Sequence, residues 1–226
     1  MSMKGRVFRL LGPLLRDAEI IGVTAPEPSF RLVRLAVRGG GGARWSAGDK
    51  LQVLMPSDDV RTYTPLWWGP DGGTALLVYA RGDTPASRWA RTLEPGARVR
   101  LAGPARSLAM PPGPLTLVGD ETSIAVAASY ARARPGQVRA WIEVAQGVAV
   151  ARAIAATGLE EVELVERPMG AARGETLARA LPQLAGAVGI TGAADLVQRV
   201  RDELRGRGVG ELRTKAYWID GRVGLD

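Results

Sequence analysis

The sequence predicts a β plus α/β protein: an antiparallel six-stranded β-barrel followed by a doubly wound α/β domain on a parallel sheet. Three observations predict it. Up to residue 102, apolar runs alternate with polar residues at a period of two, and one short helical segment interrupts them. Residues 103–114 then hold four prolines and two glycines, a break in composition that suits a domain boundary. Beyond the break, short Val/Leu/Ile runs alternate with helical segments, the rhythm of βα units. The expected domains are residues 1–107 and 115–226.

The elements follow in order. Residues 19–24 and 30–37 are rich in Ile, Val and Leu, the second with Arg31 and Arg34 between its apolar positions, and both read as strands. The four glycines of residues 39–42 read as a mobile hairpin loop. Ala47-Gly48-Asp49-Lys50 is a turn feeding a strand at 51–55, which Pro56 ends. Residues 61–64 read as a further extended stretch, and 74–80 as the next strand. Thr84 suits a helix cap with Pro85 at the first helical position; that helix ends near Leu93, before Pro95-Gly96. Residues 98–102 complete the strands of the first domain. In the second domain, strands are expected at 115–118, 138–145, 162–165, 187–190 and 211–219. Helices are expected from Gly119-Asp120-Glu121-Thr122 to about Arg134, at 148–156, at 174–181, and from Gly192-Ala193-Ala194-Asp195 to about Arg205.

Composition narrows the chemistry. Of 226 residues, 46% are hydrophobic, enough for a sizeable core. The chain has no cysteine, which excludes disulfides, thiolate zinc sites, cysteine-ligated iron–sulfur clusters and a cysteine nucleophile. It has no histidine either, so the commonest general base and transition-metal ligand is missing, and no metal ligands are assigned. Redox chemistry would need a bound organic cofactor. The net charge of +7 favours anionic partners, although the Arg, Ala, Gly and Pro richness also fits high-GC coding. The basic residues are scattered, without a run of five, which argues against a nucleic-acid tail. No signal peptide is recognised, and no run of 18 uncharged apolar residues offers a membrane span. The expectation is a cytoplasmic monomer that binds no nucleic acid.

Two stretches carry candidate chemistry. Arg61-Thr62-Tyr63-Thr64 places a cation, a flat aromatic and two hydroxyls in four positions. If extended, Arg61 and Tyr63 share one face and Thr62 and Thr64 the other. That pair suits a ligand with an anion and a planar ring; the same residues also suit an edge strand with an exposed Arg and a packed Tyr. The turn from Gly82 to Ser87 offers helix-start amides and the hydroxyls of Thr84 and Ser87 to a phosphate, or a plain helix cap. Trp89 reads as a core residue of the short helix. The turns Gly119-Asp120-Glu121-Thr122 and Thr191-Gly192-Ala193-Ala194 lack the six-residue glycine fingerprint and read as ordinary strand-to-helix turns.

Four motifs in order give the chain a resemblance to the siderophore-interacting protein family of the ferredoxin reductase-like flavoproteins. Arg61-Thr62-Tyr63-Thr64 resembles the flavin-binding Arg-x-Tyr-Ser/Thr signature, and Gly82-Asp83-x-Pro85-Ala86-Ser87-Arg88-Trp89-Ala90 the segment after the next strand. Val118-Gly119-Asp120-Glu121-Thr122 is similar to the opening of the family's second domain, and Lys215-Ala216-Tyr217-Trp218-Ile219-Asp220-Gly221 to its C-terminal motif. The resemblance covers residues 5–222. It departs from the family at Arg81, Thr84, the Pro65-Leu66-Trp67-Trp68 stretch and Thr191-Gly192-Ala193.

The resemblance implies a bound FAD and an oxidoreductase that reduces ferric siderophores, releasing Fe(II), with electrons from NAD(P)H or a reduced, acidic ferredoxin. Two alternatives stay open: a flavin or ferredoxin–NAD(P) reductase-like enzyme with another acceptor, and a non-catalytic siderophore- or partner-binding protein. Arg61 would pair with the flavin phosphates, Tyr63 would pack on the isoalloxazine, and Thr64 would hydrogen-bond near its N5 edge. Tyr63 and Thr64 are thus the catalytic candidates. Gly82, Thr84, Pro85, Ala86 and Ser87 would hold the pyrophosphate; Thr62, Asp120, Thr122 and Trp218 complete the cofactor set. Arg81, Lys215 and Arg222 are the candidates for binding the iron chelate.

Overall fold

The structure is a computed structural model that describes residues 15–145 and 149–221. The chain divides into two compact units between Arg106 and Ser107.

The first unit is antiparallel: β1 (Arg16–Thr24), β2 (Phe30–Val37), β3 (Lys50–Leu54), β4 (Val60–Tyr63), β5 (Pro65–Trp68), β6 (Gly73–Tyr79) and β7 (Arg98–Ala105). In β2, Phe30, Val33, Leu35 and Val37 are buried, and between the last three the polar or small positions face out. The strands pair in the order β4-β3-β7-β1-β2-β6-β5. β4 and β5 stand at opposite ends of that order, yet Thr64 alone separates them in the chain. The two edges of the sheet therefore meet at Thr64, and the sheet closes on itself as a barrel. Ile20, Val33, Leu35, Leu51, Val53, Leu76 and Leu101 fill its interior.

The fold class is the expected one, with seven strands in place of six. The added strand is β5, four residues headed by proline, which carries no period-two signal. Pro65 sits at the first position of an edge strand, where its missing N–H costs the ladder nothing. Trp68 anchors the strand by donating its indole N–H to the Gly40 carbonyl at 3.0 Å. The one helix among the described residues of this unit, α1 (Pro85–Arg91), has Thr84 as its cap and Pro85 at its start, and ends two residues before Leu93. Its Trp89 and Ala90 pack into the barrel core.

The second unit is a five-stranded parallel sheet, β8 (Leu115–Asp120), β9 (Val138–Ala145), β10 (Val162–Arg167), β11 (Ala187–Ala193) and β12 (Leu212–Trp218), ordered β10-β9-β8-β11-β12. The winding reverses between β8 and β11, the mark of a doubly wound sheet. A single helical turn (Glu121–Ser123) leads into α2 (Ile124–Ala133); α3 (Ala151–Thr157), α4 (Glu175–Ala180) and α5 (Ala194–Gly206) follow. The helix expected from Val148 begins at Ala151, and Val148 itself lies outside the described residues. On α5, Leu196, Val197, Val200 and Leu204 recur at helical spacing and pack on Val188 and Ile190 of the sheet. The proline-rich segment is bound to this unit. Tyr130 donates its hydroxyl to the Leu108 carbonyl at 2.6 Å, Arg134 donates to the carbonyls of Met110 and Pro111, and Leu108 and Met110 are buried.

Candidate functional site

The barrel seam carries the first group of residues. Leu51 lies opposite Tyr63 and Val53 opposite Arg61, so the Arg and the Tyr share the inward face, while Thr62 opposite Gln52 shares the other. Because β4 is an edge strand, that inward face is only partly covered, and Arg61 to Thr64 are all half-buried. The Tyr63 ring stacks on Trp89 of α1, with centroids 6.3 Å apart and planes inclined by 27°. Burial pushes the Tyr63 phenol well above its ordinary range, against a smaller downward pull from Arg61. Arg61 donates to the Val60 carbonyl at 2.9 Å and lies 4.0 Å from the Asp59 carboxylate. Among the described residues few of its donors are thereby engaged, and 19% of its side chain is exposed.

The turn before α1 is the second group. The Thr84 hydroxyl accepts from the Ser87 amide at 3.1 Å and lies 2.9 Å from the Ser87 hydroxyl, which donates to the Arg81 carbonyl at 2.8 Å. Both hydroxyls that the sequence offered to a phosphate are thus spent on the cap. What remains for a ligand is backbone: Gly82 has φ +71° and nothing within 4 Å of where a Cβ would sit, and the first-turn amide of Ala86 has no acceptor inside its helix. Arg88 pairs with Asp83 at 2.9 Å, and Arg91 donates to the Gly82 carbonyl at 2.6 Å, which fixes the turn. Arg91 was not singled out from the sequence, where nothing distinguishes it from the other scattered arginines. The Tyr63–Trp89 stack joins this segment to the Arg61-Thr62-Tyr63-Thr64 stretch.

In the second unit the hub is Asp120, the last residue of β8, 3% exposed. One carboxyl oxygen accepts from the Thr122 amide at 2.9 Å and from the Thr122 hydroxyl at 2.5 Å. The other accepts from the Ala193 amide at 2.7 Å and the Trp218 indole N–H at 3.0 Å. Burial pushes this carboxyl above its usual range, and the bonds from Thr122 and Ala193 pull it back. Glu143, opposite Asp120 on β9, is also pushed up by burial; it accepts from the Gly174 amide at 2.9 Å and lies 3.8 Å from Arg167. Arg173 lies 4.4 Å over the Trp218 ring and pairs with Asp220 at 3.0 Å. Asp120, Thr122 and Trp218, expected to face a cofactor, therefore turn their hydrogen-bonding atoms on one another. The donors at Ala193 and Trp218 stand 73 and 98 residues from Asp120, a separation no local pattern reports.

Of the three residues expected to meet an iron chelate, two are described, one in each unit. Arg81 is exposed in the first unit, Lys215 is half-buried on β12 opposite Thr191, and Arg222 lies outside the described residues. Among the described residues, no cluster of acidic side chains could hold a metal ion.

No family model matches the chain, and no curated protein matches it. Solved structures do. A siderophore utilization protein from T. fusca is 24% identical, with 94% of this chain and 95% of that one covered at a TM-score of 0.75. A siderophore-interacting protein from Aeromonas hydrophila is 20% identical, with 92% of each chain covered at a TM-score of 0.70. The fold is that of the siderophore-interacting proteins. It is shared more widely: the ferredoxin reductase of a carbazole 1,9a-dioxygenase is 19% identical, with 90% of this chain and 67% of that one covered at a TM-score of 0.72. The siderophore-interacting proteins thus match this chain along nearly its full length, and the dioxygenase reductase is longer. No helix among the described residues is long and apolar enough to cross a membrane.

Proposed function

We propose that the protein is an FAD-dependent reductase whose substrate is a ferric siderophore. The observation that carries this reading is the barrel seam, where Tyr63 stacks on Trp89 beside an Arg61 with donors to spare. A flat ring on a fixed backing and a forked cation suit a ligand with a planar ring system and a pyrophosphate. The likeness to siderophore-interacting proteins and to ferredoxin reductases supports the same choice.

Bound FAD would supply storage of two electrons, received as a hydride from NAD(P)H or singly from reduced ferredoxin, and one-electron delivery to Fe(III). Arg61 would pair with its phosphates, and Tyr63, held by Trp89, would pack on its ring system and keep water from it. Thr64, at the meeting of the two sheet edges, would offer a hydroxyl near the flavin N5 edge. Gly82 and the Ala86 amide offer backbone to the pyrophosphate. Each Fe(III) takes one electron and leaves as Fe(II), which hard oxygen ligands hold more weakly. The net charge of +7 favours anionic chelates, and Arg81, Lys215 and Arg222 are the cations assigned to them.

The test is a visible spectrum of the purified protein and of protein reconstituted with FAD, followed by anaerobic reduction and addition of a ferric chelate. A flavin spectrum that bleaches, then returns as Fe(II) appears, is the expected result. Colourless protein that takes up no FAD overturns it. The reductase-like neighbours favour one second reading, a flavin enzyme with a different acceptor. Faster turnover with free flavin or quinone than with ferric chelates selects that reading.

A further inference from the structure

In a doubly wound sheet, a pyridine dinucleotide lays its pyrophosphate at the switch point, on the amides that open the flanking helices. Here the switch point lies between β8 and β11, and the helix openings are Asp120 to Ser123 and Ala193 to Ala194. We infer that Asp120 is a specificity-determining residue that closes this unit to pyridine dinucleotides, its carboxyl group standing where a phosphate would be held.

Four donors converge on that carboxyl, and two of them are the helix-opening amides of Thr122 and Ala193. The glycines of the crevice are filled as well. In dinucleotide-binding folds, such glycines let the backbone approach the pyrophosphate. Here a Cβ on Gly192, whose φ is +114°, would come 2.6 Å from the Asp120 Cγ. A Cβ on Gly119 would come 2.5 Å from the Thr191 carbonyl and would overlap the Ser123 hydroxyl. That hydroxyl is itself bonded to Thr191 at 2.7 Å. The space a glycine leaves is taken by the protein's own polar side chains. Two more carboxyl groups line the same strand ends: Glu143 opposite Asp120, and Glu121, which accepts from the Ala145 amide at 2.9 Å. A phosphate arriving here would find the Thr122 and Ala193 amides and the Trp218 N–H taken, and carboxyl groups around it. The electron donor is then one that brings no phosphate to this crevice.

The inference rests on the second unit alone and not on the flavin reading, whose failure shows separately as a missing flavin spectrum. The test is calorimetric titration of NAD+, NADP+ and inorganic pyrophosphate into the full chain, preincubated with FAD. The wild type is expected to show no saturable binding up to about 1 mM, the weak end of ordinary KM values. Asp120→Ser keeps a capping hydroxyl for Thr122 and bares the Ala193 amide and the Trp218 N–H. It is expected to bind pyrophosphate and NAD+ at least about tenfold more tightly than the wild type, the scale of hydrogen bonds to a charged group. Asp120→Asn fills the same volume and is expected to stay silent. Saturable NAD+ or NADP+ binding by the wild type below about 1 mM overturns the inference. So does a folded Asp120→Ser chain with no gain. If Asp120→Ser does not fold by circular dichroism, the wild-type titration decides alone.

Discussion

Two helix openings in this chain solve one problem in opposite ways. Before α1, a neutral hydroxyl from Thr84 caps the helix, the turn is exposed, and Gly82 faces open space. After β8, a buried carboxyl caps the helix, gathers donors from three strand ends, and leaves no room beside Gly192. A helix start attracts anions in either case. The first is left available to an outside anion, while the second is satisfied from within. The donors left free at an opening, rather than the helix start itself, separate a seat for a ligand from a structural joint.

Substitutions at the two openings separate an open turn from a filled one. The largest effect is expected at Trp89, the backing of the open seam and part of the barrel core. Trp89→Ala should cost about 3–5 kcal/mol in denaturant unfolding and weaken FAD retention along with it. A loss below about 1 kcal/mol would mean that the ring is not held by the core. Next come the two glycines. Gly192→Ala combines a strained φ with a Cβ driven onto Asp120, and should cost more than about 2 kcal/mol. Gly82→Ala, with a positive φ but open space, should cost only about 1 kcal/mol. Equal losses in thermal melts would erase the contrast between a filled and an open turn. Thr84→Ala removes the cap and should cost about 1 kcal/mol.

The smallest effect is a pH dependence. Because burial raises the folded Asp120 above its ordinary value of 3.8, the folded state holds a proton that the unfolded chain has lost. Stability from this group therefore falls as pH rises above about 4. Unfolding free energies of the wild type minus those of Asp120→Asn should decline over that range. A rising difference would show that the four donors outweigh burial.

The architecture was legible because its two signals are local. Period-two runs mark the barrel, and the alternation of Val-rich runs with helices marks the parallel sheet. β5 was not, since a four-residue strand opened by Pro65 owes its place to Trp68 and the barrel closure rather than to pattern. The proline-rich segment read as a domain boundary, and composition could not report that Tyr130 and Arg134 reach back to hold its second half. In the site, the shared face of Arg61 and Tyr63 followed from strand alternation alone. The role of Trp89 under Tyr63 did not, because those residues meet only once α1 docks on the barrel core. Asp120 was visible as a motif residue, but its meaning lies in donors from β11 and β12 that only the folded sheet brings to it.

In the proposed function, the barrel seam holds a flavin through Arg61 and Tyr63. The most direct measurement is the FAD dissociation constant of the wild type, Arg61→Ala and Tyr63→Ala, read by quenching of flavin fluorescence. Each substitution should weaken binding by at least about tenfold, the scale of one lost charge-assisted hydrogen bond or one lost aromatic stack. Unchanged affinity in both, with the fold intact, would make the stretch an ordinary edge strand that holds no flavin.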